Sequence, residues 1–183
     1  MWYTRLVNIF VLDNSPQLAA RDMCNKHICK MCVETAQMLS AAVFLNNDEQ
    51  TWNLYQHELY KPTHKKHPCT LWTAKSPHNF EWLVQHAFAL CDEYTTRYGK
   101  THASKLPIKC AASLALRAFG GVQGDWTKHT PFALAMPDEC KREDAVEAYR
   151  CYYVAHKAKF AKWEPRAREP EWWKKCTLDA GVV

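Results

Sequence analysis

The strongest hydrophobic periodicity in this chain follows Ser76-Pro77. Apolar and aromatic side chains recur there at steps of three and four residues until Gly99. A serine followed by a proline is typical of a helix start, and a glycine is typical of a helix end. The pattern therefore predicts an amphipathic helix over residues 77–98.

A second stripe of regularly spaced side chains, most of them aromatic, lies near the C-terminus. Its alternating three- and four-residue steps predict a long helix from about Glu143 to Glu164-Pro165. The members of the stripe are Val146, Tyr149, Tyr153, His156, Phe160 and Trp163.

Two further helical stretches are predicted in the first two thirds of the chain. One begins at Ser15-Pro16 and continues to Leu45, with a joint near Asn25. The other runs from about Pro107 to Phe119 and ends at Gly120-Gly121.

The remaining segments lack a helical period. The apolar run Val7–Leu12 is β-prone, whereas residues 50–75 and 122–140 carry prolines and are predicted to be long ordered loops. Strands and helices do not alternate, so no parallel sheet is expected. We therefore expect a mainly α fold: a compact helical domain with a short N-terminal β-prone segment and two long loops.

Composition supports an ordinary packed core. The 183 residues are 48% hydrophobic and 23% charged with five glycines, which excludes disordered and collagen-like chains and predicts a single domain over residues 1–183. No apolar run approaches the roughly 18 to 20 residues of a membrane span, and Met1-Trp2-Tyr3-Thr4-Arg5 starts no secretion signal. We expect a cytoplasmic protein with no membrane partner.

The nine cysteines are an odd number spread along the chain, which is typical of reduced thiols used as small hydrophobic residues. Cys24, Cys29 and Cys32 are close together, and His64-x-x-His67 with Cys69 follows later. A second Cys-x-x-Cys pair is missing, so neither a metal site nor another cofactor is predicted.

Four polar side chains share one face of the first helical stretch. His27, Lys30, Glu34 and Gln37 stand at positions i, i+3, i+7 and i+10, and the other faces are mostly apolar. Such a helix is expected to be buried, so this polar stripe either faces solvent or lines a cleft. Together the four groups could transfer protons, attack as a nucleophile, stabilise charge and orient a substrate. They are the candidate catalytic residues.

Positive charge is concentrated at the C-terminal end. Residues 150–175 contain eight lysines and arginines against three glutamates, an excess equal to the +5 of the whole chain. Basic groups that displace phosphate counterions, interleaved with aromatic rings that stack on bases, predict a nucleic-acid surface. An amphipathic helix with its lysines in water is the alternative. The predicted contacts are Arg150, Lys157, Lys162, Trp163, Arg166, Arg168, Trp172 and Trp173.

Two observations extend this interpretation. The adjacent indoles Trp172 and Trp173 favour binding, because two neighbouring indoles do not easily face one core. The run from Lys61 to Pro68 adds candidate phosphate contacts, with a solvated loop as the alternative. These contacts are Lys61, His64, Lys65 and His67.

Several segments spread over nearly the whole chain resemble a protein family common in tailed-phage genomes. They include Asn8-Ile9-Phe10-Val11-Leu12-Asp13, Lys26-His27, Lys30-Met31, Glu34-Thr35-Ala36-Gln37, His67-Pro68, Tyr98-Gly99-Lys100, Met136-Pro137-Asp138 and Glu147-Ala148-Tyr149-Arg150. The resemblance implies a phage protein in the cytoplasm of an infected bacterial cell, rather than a particular activity.

A second resemblance rests on Lys30 and Glu34 in an early helix and on the tail Arg168-Glu169-Pro170-Glu171-Trp172-Trp173. Their placement is similar to that in the phage pyrimidine-dimer DNA glycosylase, endonuclease V. This implies a compact all-α enzyme with an N-terminal amine nucleophile, a catalytic glutamate on an early helix and an aromatic tail at the DNA lesion. The bulky Trp2 departs from that pattern, so Lys30 would have to supply any Schiff-base amine.

The favoured hypothesis is a phage DNA-acting enzyme of glycosylase/lyase type that takes a modified or damaged base toward the polar stripe. Glu34 would stabilise charge at the sugar or activate water, and Lys30 would attack or bind phosphate. His27 would transfer protons and Gln37 would orient the base. The alternatives are a non-catalytic accessory protein that binds DNA or a host protein, and an enzyme that acts on a free nucleotide.

Overall fold

The computed structural model describes residues 7–120 and 128–179 of the chain. These ranges contain nine α-helices and no β-strand, so the mainly α prediction is confirmed. A 3₁₀ turn, Asp138–Cys140, precedes α8. The helices are α1 (Pro16–Arg21), α2 (Asn25–Asn46), α3 (Glu49–Tyr55), α4 (Pro68–Lys75), α5 (Pro77–Tyr98), α6 (Lys105–Ser113), α7 (Ala115–Phe119), α8 (Ala145–Lys157) and α9 (Glu171–Asp179).

Helix α5 matches its sequence prediction at both ends. The Ser76 hydroxyl accepts a hydrogen bond from the backbone N–H of Asn79 at 3.1 Å, which satisfies one of the free donors of the first turn. Gly99 adopts a left-handed conformation with φ 67° and donates its N–H to the Thr95 carbonyl at 2.8 Å.

Helix α2 lies at the centre of the fold, where α4, α5 and α6 pack against it. It is long and apolar enough to cross a membrane by length and composition, with a mean hydropathy of 1.4 in its most apolar window. The expectation that no apolar stretch reaches that length is therefore wrong. However, 67% of the window is buried inside the protein, as in the core helix of a helical domain.

The predicted joint near Asn25 separates α1 from α2, and Arg97 of α5 holds it. The Arg97 guanidinium donates to the carbonyls of Arg21 and Met23, both at 2.8 Å, and pairs with Glu93 at 2.8 Å. Its side chain is fully buried. Sequence analysis missed this residue, because an arginine in the last turn of a helix is ordinarily solvated.

The β-prone segment at residues 7–12 is buried but does not form a strand. The side-chain oxygen of Asn8 accepts hydrogen bonds from the N–H groups of Ile9 and Phe10, and Leu12 donates to the Phe10 carbonyl. These local bonds use the backbone groups that a strand would give to a partner.

The segment predicted as a loop over residues 50–75 contains most of α3 and all of α4. Asp48 and His67 cap these short helices by accepting hydrogen bonds from Thr51 N–H and Cys69 N–H. Seven or eight residues are too few to establish a clear period. The second predicted loop is helix-free over residues 128–137, while 121–127 lie outside the described residues.

Two predicted helices differ in length from the structure. The stretch 107–119 is interrupted at Leu114, between α6 and α7. Helix α8 ends at Lys157, short of residue 164, and α9 was not predicted. Phe160 and Trp163 keep helical spacing in the sequence but lie in turns beyond α8, from which Trp163 enters the core.

Candidate active site

The polar stripe of α2 does not form a solvated face. His27 and Glu34 are buried, with 4% and 6% of their surface exposed. The Lys30 side chain is 48% exposed and Gln37 is half-buried. The buried pair contacts residues 8 and 10 of the N-terminal segment, which packs over this part of α2.

Glu34 is held from two sides. One carboxylate oxygen contacts Lys30 Nζ at 2.6 Å, and the other accepts the backbone N–H of Asn8 at 3.2 Å. Burial raises the pKa of Glu34 above its usual value, although Lys30, the Asn8 amide and His64 oppose the rise. A fixed carboxylate with little water around it interacts strongly with positive charge that develops beside it.

The turn at residues 8–10 positions the Asn8 amide. The Asn8 side chain accepts from Ile9 N–H at 2.7 Å and donates to the Ala135 carbonyl at 2.8 Å. Phe10 has a φ of 39°, a conformation that is costly for a bulky residue. His64, which lies within electrostatic range of Glu34, also has a positive φ of 54°. Strained backbone therefore occurs on two segments near Glu34.

His27 lies in an aromatic environment. Its ring stacks on Phe10 with centroids 4.7 Å apart and meets the edges of Tyr153 and Phe160 at 5.1 and 5.5 Å. Burial, followed by repulsion from Lys157, Lys30 and Lys26, lowers the pKa of His27 to about 3. The ring is therefore neutral at physiological pH, and among the described residues Nδ1 has no hydrogen-bond partner. A ring held neutral is a weak base, so the proton transfer expected of His27 stays a prediction, while the structure shows the ring packed against Phe10.

Lys157, predicted only as a nucleic-acid contact, belongs to this site. It is the last residue of α8, and its Nζ donates to the Tyr152 hydroxyl at 3.2 Å and lies 5.7 Å from the centre of the Phe10 ring. Burial and the Lys30 charge lower the pKa of Lys157, and Glu34 partly opposes this. Sequence analysis missed its place here because nothing local links α8 to α2.

The C-terminal tryptophans do not form an exposed stacking surface. Trp163 and Trp173 are buried, with 2% and 6% exposed, so the expectation that they stack on bases is wrong. The Trp163 indole donates to the Asp22 carbonyl at 3.1 Å, and the half-buried Trp172 donates to the Asp22 carboxylate at 2.8 Å. The two adjacent indoles thus both pack onto the fold, contrary to the sequence argument.

Two of the arginines predicted to contact nucleic acid donate hydrogen bonds to backbone carbonyls of the protein itself. Arg150 donates to the Leu12 carbonyl at 2.9 Å, and Arg166 donates to the Arg97 carbonyl at 2.9 Å. Lys162 and Arg168 are exposed, and Arg168 pairs with Glu171 at 2.7 Å.

The loop between α3 and α4 presents its basic groups to solvent. Lys61, His64 and Lys65 are exposed, and Lys65 Nζ lies 4.6 Å from the centre of the Phe44 ring. His67 is instead the N-cap of α4 and accepts from Cys69 N–H at 3.3 Å. The loop lies within electrostatic range of Glu34, because a positive charge on His64 lowers the pKa of that carboxyl group.

The cysteines form neither a disulfide nor a cluster with other metal-ligating side chains in the described part of the chain. All nine thiols are free, and within residues 7–120 and 128–179 no three His, Cys, Asp or Glu side chains form a possible metal site. Trp2, which distinguishes the chain from the endonuclease V pattern, lies outside the described residues.

Comparison with known proteins identifies the family. No curated protein and no solved structure matched the chain. The family model described as pyrimidine dimer DNA glycosylase matches residues 7–106, which is more than half of the chain. The match includes the 8–10 turn, Lys30 and Glu34, and it ends before Lys157. By this match, the chain belongs to the pyrimidine dimer DNA glycosylase family.

Proposed function

We propose that this protein is a DNA glycosylase that cleaves the bond between deoxyribose and a damaged pyrimidine in a pyrimidine dimer. The observation that carries the proposal is the buried Glu34 carboxylate, fixed by Lys30 at 2.6 Å and by the Asn8 amide at 3.2 Å. The family match supports DNA as the substrate.

Cleavage of the glycosidic bond builds positive charge on the sugar. A carboxylate held in a poorly hydrated position stabilises that charge and needs no reorganisation during the reaction. Glu34 meets this requirement and can also activate the water that completes hydrolysis. Lys30 keeps Glu34 in place and is exposed enough to reach a phosphate, and Gln37 orients the extruded base.

DNA is held by exposed basic side chains around the site. Lys61, His64 and Lys65 contact phosphates from the loop beside Glu34, and Lys162 and Arg168 contact the backbone farther along. Phosphate contacts of this kind position the duplex while the site selects the extruded base.

The proposal also covers the domain organisation and the cellular location of the protein. Because α4, α5 and α6 all pack against α2, we propose a single domain. The likeness to the tailed-phage family supports a phage protein that acts on DNA in the cytoplasm of the infected bacterium.

The test is base release from three substrates: a duplex with one thymine dimer, the undamaged duplex and the free dinucleotide dimer. The wild type is expected to release the base from the damaged duplex, and Glu34→Gln is expected to bind that duplex but to release the base more slowly by about 100-fold or more. Glu81→Gln is the matched control, because the Glu81 side chain is 63% exposed on α5.

The other outcomes separate the alternatives. Salt-dependent binding with no product from any substrate would favour a non-catalytic accessory protein. Turnover of the free dinucleotide alone would favour a nucleotide enzyme. Either result would refute the glycosylase proposal.

A further inference from the structure

We propose that Cys140 and Cys151 form a reversible disulfide when the protein meets a peroxide, so that this pair is a site of oxidative modification. The inference goes beyond the proposed function and does not depend on it. It rests on the contacts that the 3₁₀ turn Asp138–Cys140 makes with α8, and on the different exposure of the two thiols.

Contacts on both sides of Cys140 hold the 3₁₀ turn against α8. Before Cys140, the Glu139 Oε1 atom lies 3.9 Å from His156 Nε2. After it, the Arg142 guanidinium donates a hydrogen bond to Cys151 Sγ at 3.5 Å. Between these two contacts, the thiols of Cys140 and Cys151 hydrogen-bond each other, and both are free. The two sulfurs therefore lie side by side and are not yet bonded.

The two thiols differ in their access to solvent. Cys140 has 1% of its surface exposed, whereas Cys151 is half-buried. Burial and the neighbouring Cys151 thiol raise the pKa of Cys140 to about 11, so Cys140 is protonated at neutral pH. The Arg142 guanidinium places a positive charge beside Cys151, and the form of cysteine that attacks a peroxide is the negatively charged thiolate. We therefore expect Cys151 to react first and Cys140 to attack it afterwards.

The oxidation consumes one molecule of hydrogen peroxide and gives two waters. The Cys151 thiolate attacks one peroxide oxygen, the O–O bond breaks, and hydroxide leaves and takes up a proton. Cys151 is then a sulfenic acid. The Cys140 thiol loses its proton, its sulfur attacks the Cys151 sulfur, and the S–O bond breaks as hydroxide leaves and becomes water. The pair has lost two electrons and two protons, and a dithiol reductant returns them.

The pair lies at the end of a segment that supports the candidate active site. The Tyr149 hydroxyl of α8 donates to the Ala133 carbonyl at 2.6 Å, and the Ala135 carbonyl accepts from the Asn8 side chain at 2.8 Å. A disulfide would add a covalent link between this segment and α8, and would close a short loop in the unfolded chain. Oxidation is therefore expected to raise the thermal midpoint by about 5 °C.

A second pair of thiols supplies an internal control. Cys32 of α2 and Cys91 of α5 also hydrogen-bond each other, but both have 0% of their surface exposed. A peroxide reaches neither sulfur in the folded protein, so this pair is expected to stay reduced under conditions that oxidise Cys140 and Cys151. The comparison separates the effect of exposure from the effect of contact.

Peptide mass mapping tests the disulfide directly. The full chain is treated with a small excess of hydrogen peroxide, free thiols are blocked with an alkylating agent, and the protein is digested with trypsin without a reductant. Cleavage after lysine and arginine places Cys140 in peptide 129–141 and Cys151 in peptide 151–157. The two peptides are expected to appear joined, lighter than their sum by two hydrogens, and dithiothreitol is expected to separate them.

Two serine variants complete the test. Cys151→Ser is expected to lose both the joined peptide and the rise in thermal midpoint on oxidation. Cys176→Ser, which removes another half-buried thiol, is expected to keep both. The thermal midpoint of each reduced variant checks that it folds, and the mapping of the wild type requires no variant.

Three results from the wild type would overturn the proposal. They are a sulfinic acid on Cys151 beside an alkylated Cys140, alkylation of both residues after peroxide treatment, and a disulfide that joins either residue to another cysteine or to a second chain. Base release from a damaged duplex is measured separately on the reduced protein, so none of these results bears on the proposed function.

Discussion

Acid is expected to destabilise this protein through His27, because the folded state holds its ring neutral. The pKa of His27 is lowered from 6.5 to about 3 by burial and by nearby lysines. Below pH 6.5, His27 therefore binds a proton in the unfolded chain, whereas in the folded protein it binds one only below about pH 3. Stability from this residue is complete above pH 6.5 and is lost as the pH falls toward 3.

The magnitude follows from proton linkage. Each pH unit between the two pKa values costs about 1.4 kcal/mol, so His27 removes about 2 kcal/mol of unfolding free energy between pH 7.5 and pH 5. With a urea dependence of about 2 kcal/mol per molar, this corresponds to a shift of about 1 M in the urea midpoint. His27→Phe keeps a flat ring against Phe10 and removes the titrating group.

The assay is urea unfolding of both proteins at pH 7.5 and pH 5. The His27→Phe midpoint is expected to fall by about 1 M less than the wild-type midpoint. Comparing each protein with itself cancels any packing change, and the contribution of the second buried histidine, His86, is the same in both. The exposed His57→Ala variant is expected to follow the wild type. Equal pH dependence of wild type and His27→Phe would refute the burial argument.

Three further predictions concern other parts of the molecule. Glu34→Gln is expected to raise the thermal midpoint at pH 7 and to raise it much less at pH 4. Burial raises the pKa of Glu34, so the charged carboxylate lowers the stability of the folded protein as the pH rises. A lower midpoint at pH 7 would contradict this. Arg97→Met is expected to cost about 3 kcal/mol or more in urea unfolding, since it leaves the buried Met23 carbonyl and the partly buried Arg21 carbonyl without this donor. Exposed Arg142→Met is expected to change little. The double variant Lys61→Ala, Lys65→Ala is expected to weaken DNA binding and to reduce by about 2 the slope of log affinity against log salt concentration. The exposed Lys109→Ala variant is expected to leave both unchanged. An unaltered slope in the double variant would exclude the α3–α4 loop from the interface.

Local signals allowed the most accurate sequence predictions. Helix α5 has a capping serine, a following proline and a terminal glycine, and each acts within a few residues of itself. Helices α3 and α4 were missed because they are too short for their periodicity to stand out. The end of α8 was predicted wrongly from the C-terminal aromatic stripe, because spacing alone does not distinguish a continuous helix from a helix followed by buried turn residues.

The candidate site was predictable only where one helix carries it. The spacing of Lys30 and Glu34 predicted that they share a face of α2, and the structure places Lys30 Nζ 2.6 Å from a Glu34 carboxylate oxygen. Asn8 and Lys157 reach Glu34 and its surroundings from other segments, and neither periodicity nor composition encodes such long-range contacts. The burial of His27 could not be predicted either, because it depends on the 8–10 turn that packs against its ring.

The most direct test of the central claim, that Glu34 is the catalytic carboxylate of a DNA glycosylase, is the single-turnover rate of base release from a duplex with one thymine dimer. The wild type is expected to release the base, and Glu34→Gln is expected to be slower by about 100-fold or more with nearly unchanged affinity for the duplex. A Glu34→Gln rate equal to that of the wild type would contradict the account.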